Sequence, residues 1–210
     1  DLHRHLNLAV VPKALRELER HLPEIARASG EDEAVVRGRW QRLAAAGDGH
    51  AVLELAGIDY RAPADATRTG LPDASVAVVF SNSVLEHVST SVLEPMMRES
   101  GRILQPDGLS LHSVNCGDHY AYFDRTITPI HYLRYSESQW RKWNNDLLYQ
   151  NRLRPVDFVE AARRAGLEIL LDLHTPRAEL LARFDELPIA EEFRHYPKEQ
   201  LCCTSVTFAG

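Results

Sequence analysis

Cysteine is scarce in this sequence. Three cysteines occur in 210 residues, Cys116, Cys202 and Cys203, without the paired C-x-x-C spacing of a zinc knuckle, and the vicinal pair is poorly suited to an ordinary disulfide. Buried thiols in the strands of a reduced protein are expected instead. Long apolar runs are missing as well: none approaches the roughly 18 residues needed to cross a bilayer. The opening Asp1-Leu2-His3-Arg4-His5 has no signal-peptide pattern. A cytoplasmic protein with no membrane partner is the expectation. Positive charge is not in excess, since 24 Lys+Arg stand against 30 Asp+Glu for a net charge of -6. That balance disfavours a nucleic-acid backbone as partner. An initiating methionine is also missing, so the chain is expected to have been processed, trimmed or read from an incomplete gene.

What is present suits one soluble α/β domain. The composition, 44% hydrophobic and 26% charged, is enough for a real core. Val11, Leu15, Leu18 and Leu22 recur at helical spacing and predict an amphipathic helix over 8–26. A second helix is predicted from the acidic start at 31–33 to the Gly47-Asp48-Gly49 breaker, with a helical turn at 50–56 and a short strand over 58–62. Val76 to Phe80 is a continuous apolar run of the kind found in a parallel sheet. Ser91 and Glu94 have capping-box spacing and predict a helix to about Ile103. After the turn Gln105-Pro106-Asp107-Gly108, a strand is predicted over 109–115. Pro155 and Gly166 bracket a further helix, and two strands follow at 167–173 and 202–208. Residues 117–150 carry Tyr120, Tyr122, Phe123, Tyr132, Tyr135, Trp140, Trp143 and Tyr149. So many rings predict a cap inserted into the domain rather than a linker.

Ordered motifs at 65–108 carry a resemblance. Asp65-Ala66-Thr67, Leu71-Pro72-Asp73-Ala74-Ser75, Ser81-Asn82-Ser83-Val84-Leu85-Glu86-His87-Val88 and Arg102-Ile103-Leu104-Gln105-Pro106-Asp107-Gly108 resemble the class I S-adenosylmethionine (SAM) dependent methyltransferases, in the subgroup that includes ubiquinone-biosynthesis enzymes. Asp107 stands where that family usually has glycine. The resemblance implies an α/β fold, a Rossmann-like sheet of order 3-2-1-4-5-7-6 with helices on both faces, and SAM as cofactor. It places Asp65 and Ala66 at the adenine, and Ser81, Asn82 and Ser83 beside the methionine moiety. His87 lies in a signature that is often structural and is carried as a cofactor-side residue. Asp1 falls where an acid at the end of the second strand accepts both ribose hydroxyls. On that reading the glycine-rich turn and most of the first two strands precede Asp1, and no G-x-G-x-G run occurs in the sequence. The alternatives are a degenerate relative or a partner that supplies the missing strands.

Methyl transfer from a sulfonium needs positioning above all, and a base if the acceptor is a hydroxyl. The acceptor is expected over the carboxyl ends of the fourth and fifth strands, where Asn115-Cys116-Gly117-Asp118-His119 lies. His119 is the candidate base, with Asp118 or Asp124 as its orienting carboxylate. A metal site from Asp118, His119 and Asp124 matches no strong template, so no metal is expected. The arginines of the cap and of Asn151-Arg152-Leu153-Arg154-Pro155 could hold an anionic acceptor or form a packed hinge. A small-molecule methyltransferase with an oxygen acceptor is the leading expectation, and a non-catalytic methyltransferase-like binding module the alternative. Methylation of nucleic-acid bases is disfavoured by the lack of an N/D-P-P-Y/F motif.

Overall fold

The computed structural model of the chain describes residues 8–145 and 149–210, in two compact units, Asp1–Ala64 and Asp65–Gly210. In the first unit the helix predicted over 8–26 is two helices, α1 (Val11–Arg20) and α2 (Leu22–Ser29). The break at His21 has a simple cause. Pro23 cannot donate a backbone hydrogen bond, so it sits in the first turn of a new helix, where none is required. Gly30, at φ 68°, ends α2 in the left-handed conformation. Asp32 caps α3 (Glu33–Ala44) by accepting from the Ala34 amide. Asp48 caps α4 (Gly49–Leu55) through the amides of His50 and Ala51. Leu22, Ala26 and Val36 form this unit's small core against Trp40, whose indole N–H donates to the Leu15 carbonyl at 2.8 Å. The strand expected at 58–62 does not form. A lone extended segment has no neighbour for its backbone groups, and these residues remain exposed.

The second unit contains β1 (Val76–Asn82), α5 (Thr90–Ile103), β2 (Leu104–Asn115), α6 (Glu137–Trp140), α7 (Pro155–Arg164), β3 (Leu171–Leu173), α8 (Ala178–Leu181), α9 (Lys198–Leu201) and β4 (Ser205–Ala209). The sheet order is β1-β2-β4-β3. β1 and β2 are parallel, whereas β4 runs antiparallel to both β2 and β3. This is the 4-5-7-6 portion of the expected order, and among the described residues β1 has a partner strand on one side only. Helix α5 starts from Ser89, not Ser91, and its cap residue makes no side-chain bond. The expected capping box is therefore absent, because Glu94 is drawn outward to Arg98 and Arg164. The residues predicted as a turn at 105–108 belong to β2, with a register irregularity opposite Val76 to Val78. Gly108 is required there: a Cβ would lie 2.9 Å from the Gln105 carbonyl and 3.0 Å from that of Ala77.

Strand register decides which side chains share a face. Ser81, His112, Phe208 and Asp172 form one row, and Phe80, Leu111, Ala209 and Leu171 the next, on the opposite face. On the first face Val114, Cys116, Val206 and Phe208 pack against Leu93 and Met97 of α5 and Phe158 and Ala162 of α7. On the second, Phe80 is 76% exposed and Val78 and Leu173 are exposed too. The aromatic segment is partly core. Tyr132, Leu133 and Trp140 are buried with Leu180, Phe193 and Leu201 in a second apolar cluster, while Tyr122, Phe123 and Trp143 are exposed. All three cysteines are buried and free, and burial pushes the Cys116 thiol up to about 12.

Candidate active site

Two loops converge at the carboxyl ends of the parallel pair, the place where open α/β sheets bind ligands. The first follows β1. Ser81 lies at the strand end, and its hydroxyl is 2.8 Å from Nδ1 of His112. Ser83 takes a left-handed φ of 53° and donates its N–H to the Ser113 carbonyl at 2.9 Å, which turns the chain into a single 3-10 turn at Leu85–His87. The second loop follows β2 and leads through Asn115 to the 3-10 turn at His119–Tyr122.

Residues 149–151 tie the loops together. Asn151 donates its amide N–H groups to the Leu85 and Val88 carbonyls at 2.7 and 2.8 Å, and its backbone N–H to the Glu86 carbonyl. Gln150 accepts from the His119 N–H and donates to the Gly117 carbonyl. His87 donates from Nδ1 to the Tyr149 carbonyl at 2.6 Å. The result is to bring His87 and His119 together, ring centroids 5.1 Å apart, from positions 32 residues distant in sequence. Nothing in the local sequence announced Gln150 and Asn151 as loop clamps, since an amide in a hinge has no spacing signature.

The expected catalytic pair does not assemble. His119 Nε2 receives the side-chain amide of Asn115 at 3.0 Å, and the ring stacks on Tyr122. Asp124 instead accepts from the backbone and hydroxyl of Thr126, and Asp118 caps its own turn through the Tyr120 N–H. Both acids are held by short-range turn geometry that outcompetes a longer reach to the imidazole. His119 is thus oriented by an amide rather than a carboxylate. Burial, and secondarily the nearby His87, lower its pKa, so the ring is neutral near pH 7. Asn115 also reaches the Tyr122 hydroxyl at 2.5 Å and accepts the Gly117 N–H.

The cofactor-side residues are spread differently. Ala66, Ser81 and Asn82 line one cavity of about 470 Å³ with Phe80, Val84 and Met96. Asp65, next to Ala66, is exposed and receives the backbone and hydroxyl of Thr67 on Oδ1, which holds its carboxyl below the usual range. Asp1 lies outside the described residues. His112 is buried between the Ser81 and Ser110 hydroxyls, and burial lowers its pKa to about 4. An apolar slot with polar groups at its rim suits a purine ring, so the residues present fit the adenosyl end of SAM. The arginines of 152–154 form a hinge and not an anion site. Arg152 is held by Glu137 and Glu192 and lies over the Phe193 ring. Arg154 is fully buried on the Cys116 and Cys203 carbonyls and the Tyr132 hydroxyl.

The sheet order β1-β2-β4-β3 agrees with part of the order that the resemblance to the SAM-dependent methyltransferases implies. Residues 41–111 match the family model described as a methyltransferase domain. No curated protein is significantly similar to the chain. Among solved structures it is similar to an S-adenosylmethionine dependent methyltransferase from Mesorhizobium loti, at 17% identity and TM-score 0.45 over 76% of this chain and 74% of that one. A putative sarcosine dimethylglycine methyltransferase from Galdieria sulphuraria is 17% identical, with TM-score 0.41 over 77% of this chain and 63% of that one. A complex of the Haloferax volcanii Trm112 methyltransferase activator with a putative methyltransferase gives 18% identity and TM-score 0.39, over 70% and 58%. The chain therefore spans less than two thirds of the length of the latter two.

Proposed function

We propose that this chain carries part of a SAM-dependent methyltransferase acting on a small-molecule acceptor, with oxygen as the acceptor atom. The observation behind this is the convergence of the β1 loop, which bears the cofactor-side residues, with a neutral, amide-oriented histidine on the β2 loop. When bound, SAM supplies an electrophilic methyl group on a sulfonium. In this reading Asp65 accepts the adenine amino group with Ala66 at the ring edge, Ser81, Asn82 and Ser83 lie beside the methionine moiety, and His87 shapes the adjoining loop. His119 takes the proton of the acceptor hydroxyl on Nε2 after the Asn115 amide, which keeps the Tyr122 hydroxyl, gives up that nitrogen; the neutral ring suits the role. Residues 117–150 cover the acceptor and choose it. No helix among the described residues is long and apolar enough to cross a membrane.

Calorimetry with SAM and its demethylated product, followed by methyl transfer to a panel of hydroxylated acceptors, tests the reading. Binding with turnover that His119→Ala abolishes is expected; turnover undiminished by that change overturns the role of His119. Replacing Tyr122 and Arg125 is expected to change the acceptor KM and leave SAM affinity intact, and a fall in SAM affinity would assign the segment to the cofactor pocket. The open side of β1 and the exposed Phe80 favour a second reading, a non-catalytic module that pairs with a partner through this edge. No SAM binding by a well-folded chain would select it.

A further inference from the structure

Glu86 is 1% exposed, and neither of its carboxylate oxygens has a hydrogen-bond partner. Burying a carboxylate without a partner is costly, and such groups persist where something in the functional state compensates them. Burial raises the pKa of Glu86, partly offset by nearby backbone amides of Glu86 and Asn115 that do not reach hydrogen-bonding geometry. Two histidines face this carboxylate. Donor atoms of Glu86, His87 and His119 all lie within 4.8 Å of one another. Each ring is set for coordination: His87 gives its Nδ1 proton to the Tyr149 carbonyl, which leaves the Nε2 lone pair available. This is the outer-shell arrangement that fixes tautomer and orientation in metal-bound histidines. His119 presents a lone pair at Nε2, where the Asn115 amide now donates. An ion taking that position displaces the amide, which keeps the Tyr122 hydroxyl as its partner. His87 is exposed and His119 half-buried, so the site is reached from solvent on the histidine side with Glu86 as its floor.

We propose that Glu86, His87 and His119 bind a divalent first-row transition ion. Two imidazoles and one carboxylate are a borderline donor set that suits Zn(II), Fe(II) or Co(II) over the oxygen-seeking Mg(II) and Ca(II). Three protein ligands leave coordination positions open toward the histidine side, as in sites whose ion also holds a small molecule. There the ion would lower the pKa of a bound hydroxyl or water and take over the part given to His119 when metal is absent. Binding itself does not depend on the methyl-transfer reading.

The metal-free chain titrated with Co(II), with visible d–d absorption as the signal, tests the site directly. Saturation at a single equivalent is expected, with displacement by Zn(II) and not by equimolar Mg(II). Glu86→Gln and His119→Ala should each weaken Co(II) binding by more than about tenfold, with circular dichroism showing the fold retained. Glu86→Gln removes a buried charge and keeps its volume, so loss of binding in that variant cannot be ascribed to unfolding. His174→Ala, which removes the exposed-side pair of His174 with Asp172, should leave binding unchanged. Absence of a saturable spectrum, or equal affinity in wild type, Glu86→Gln and His119→Ala, overturns the proposal. Loss of binding in His174→Ala alone would do the same.

Discussion

Two charged side chains are buried in this fold to the same degree and treated in opposite ways. Arg154 is 0% exposed and Glu86 1%. Around Arg154 the structure provides acceptors on several sides: the carbonyls of Cys116, Gln200 and Cys203 and the Tyr132 hydroxyl. Asp157, which accepts the Arg154 backbone N–H and the Tyr196 hydroxyl, fixes the start of α7 beside it. Around Glu86 it provides nothing within hydrogen-bonding geometry. The guanidinium is a structural rivet joining the start of α7 to the β2 loop and the segment before β4, because its fan of donors can satisfy carbonyls from both pieces of chain and the Tyr132 hydroxyl at once. The carboxylate cannot be read that way. A satisfied buried charge speaks for architecture, and an unsatisfied one for something still to be bound.

The sharpest way to break the comparison is to remove Arg154. Arg154→Ala is expected to destabilise the chain by about 3–5 kcal/mol in denaturant unfolding, since it empties a fully buried site and takes the guanidinium donors from the Cys203 carbonyl and the Tyr132 hydroxyl. A loss below about 1 kcal/mol would show that water replaces the guanidinium and that the rivet is not one.

A neutral buried group between these extremes should show itself through pH. His112 has a folded pKa of about 4 against roughly 6.5 when unfolded. The unfolded state therefore binds more protons between these values, and stability is complete above pH 6.5 and lost as pH falls toward 4, by roughly 3 kcal/mol at the acid limit. His112→Asn should flatten that part of the stability–pH curve.

Glu86 has the opposite sign. Its folded pKa lies above its unfolded one, so the folded state binds more protons and metal-free stability falls as pH rises from the ordinary glutamate range through the raised value. Glu86→Gln removes this slope and is expected to raise metal-free stability at neutral pH by about 1–2 kcal/mol. A loss of stability in Glu86→Gln would mean that the carboxylate is satisfied after all, and the contrast with Arg154 would vanish.

The smallest structural effect belongs to an acid at the surface. Asp65 holds only its own turn through Thr67, so Asp65→Ala should leave the unfolding midpoint nearly unchanged. SAM affinity, measured by calorimetry, is expected to fall about tenfold through the loss of one polar partner. Unchanged affinity would confine Asp65 to its turn.

Much of the fold was legible in the residues themselves. The apolar run Val76 to Phe80 is β1, Pro155 and Gly166 bracket α7, and the strands at 167–173 and 202–208 overlap β3 and β4, because apolar continuity, proline's fixed φ and glycine's left-handed freedom act within a few residues. The motif order from Asp65 to Gly108 carried the resemblance to the methyltransferases. Where local signals compete, the chain departs from the simplest pattern: Pro23 divides one expected helix into two, Ser89 replaces Ser91 as the cap, and 58–62 finds no strand to pair with.

The site divides along the same line. The sequence by itself determined that a histidine follows β2, that a Glu-His pair follows β1 and that Asp65 and Ala66 precede it. Only the tertiary structure decided that Asn115 rather than Asp118 or Asp124 orients His119, and that Arg152 and Arg154 are hinge and not acceptor site. It also decided that Gln150 and Asn151 draw His87 and His119 over a carboxylate with no partner. The reason is range. Caps, turns and strand runs are fixed by neighbours in sequence, whereas the solvation of a buried charge depends on every element packed around it, and most of those elements lie far from it in the chain.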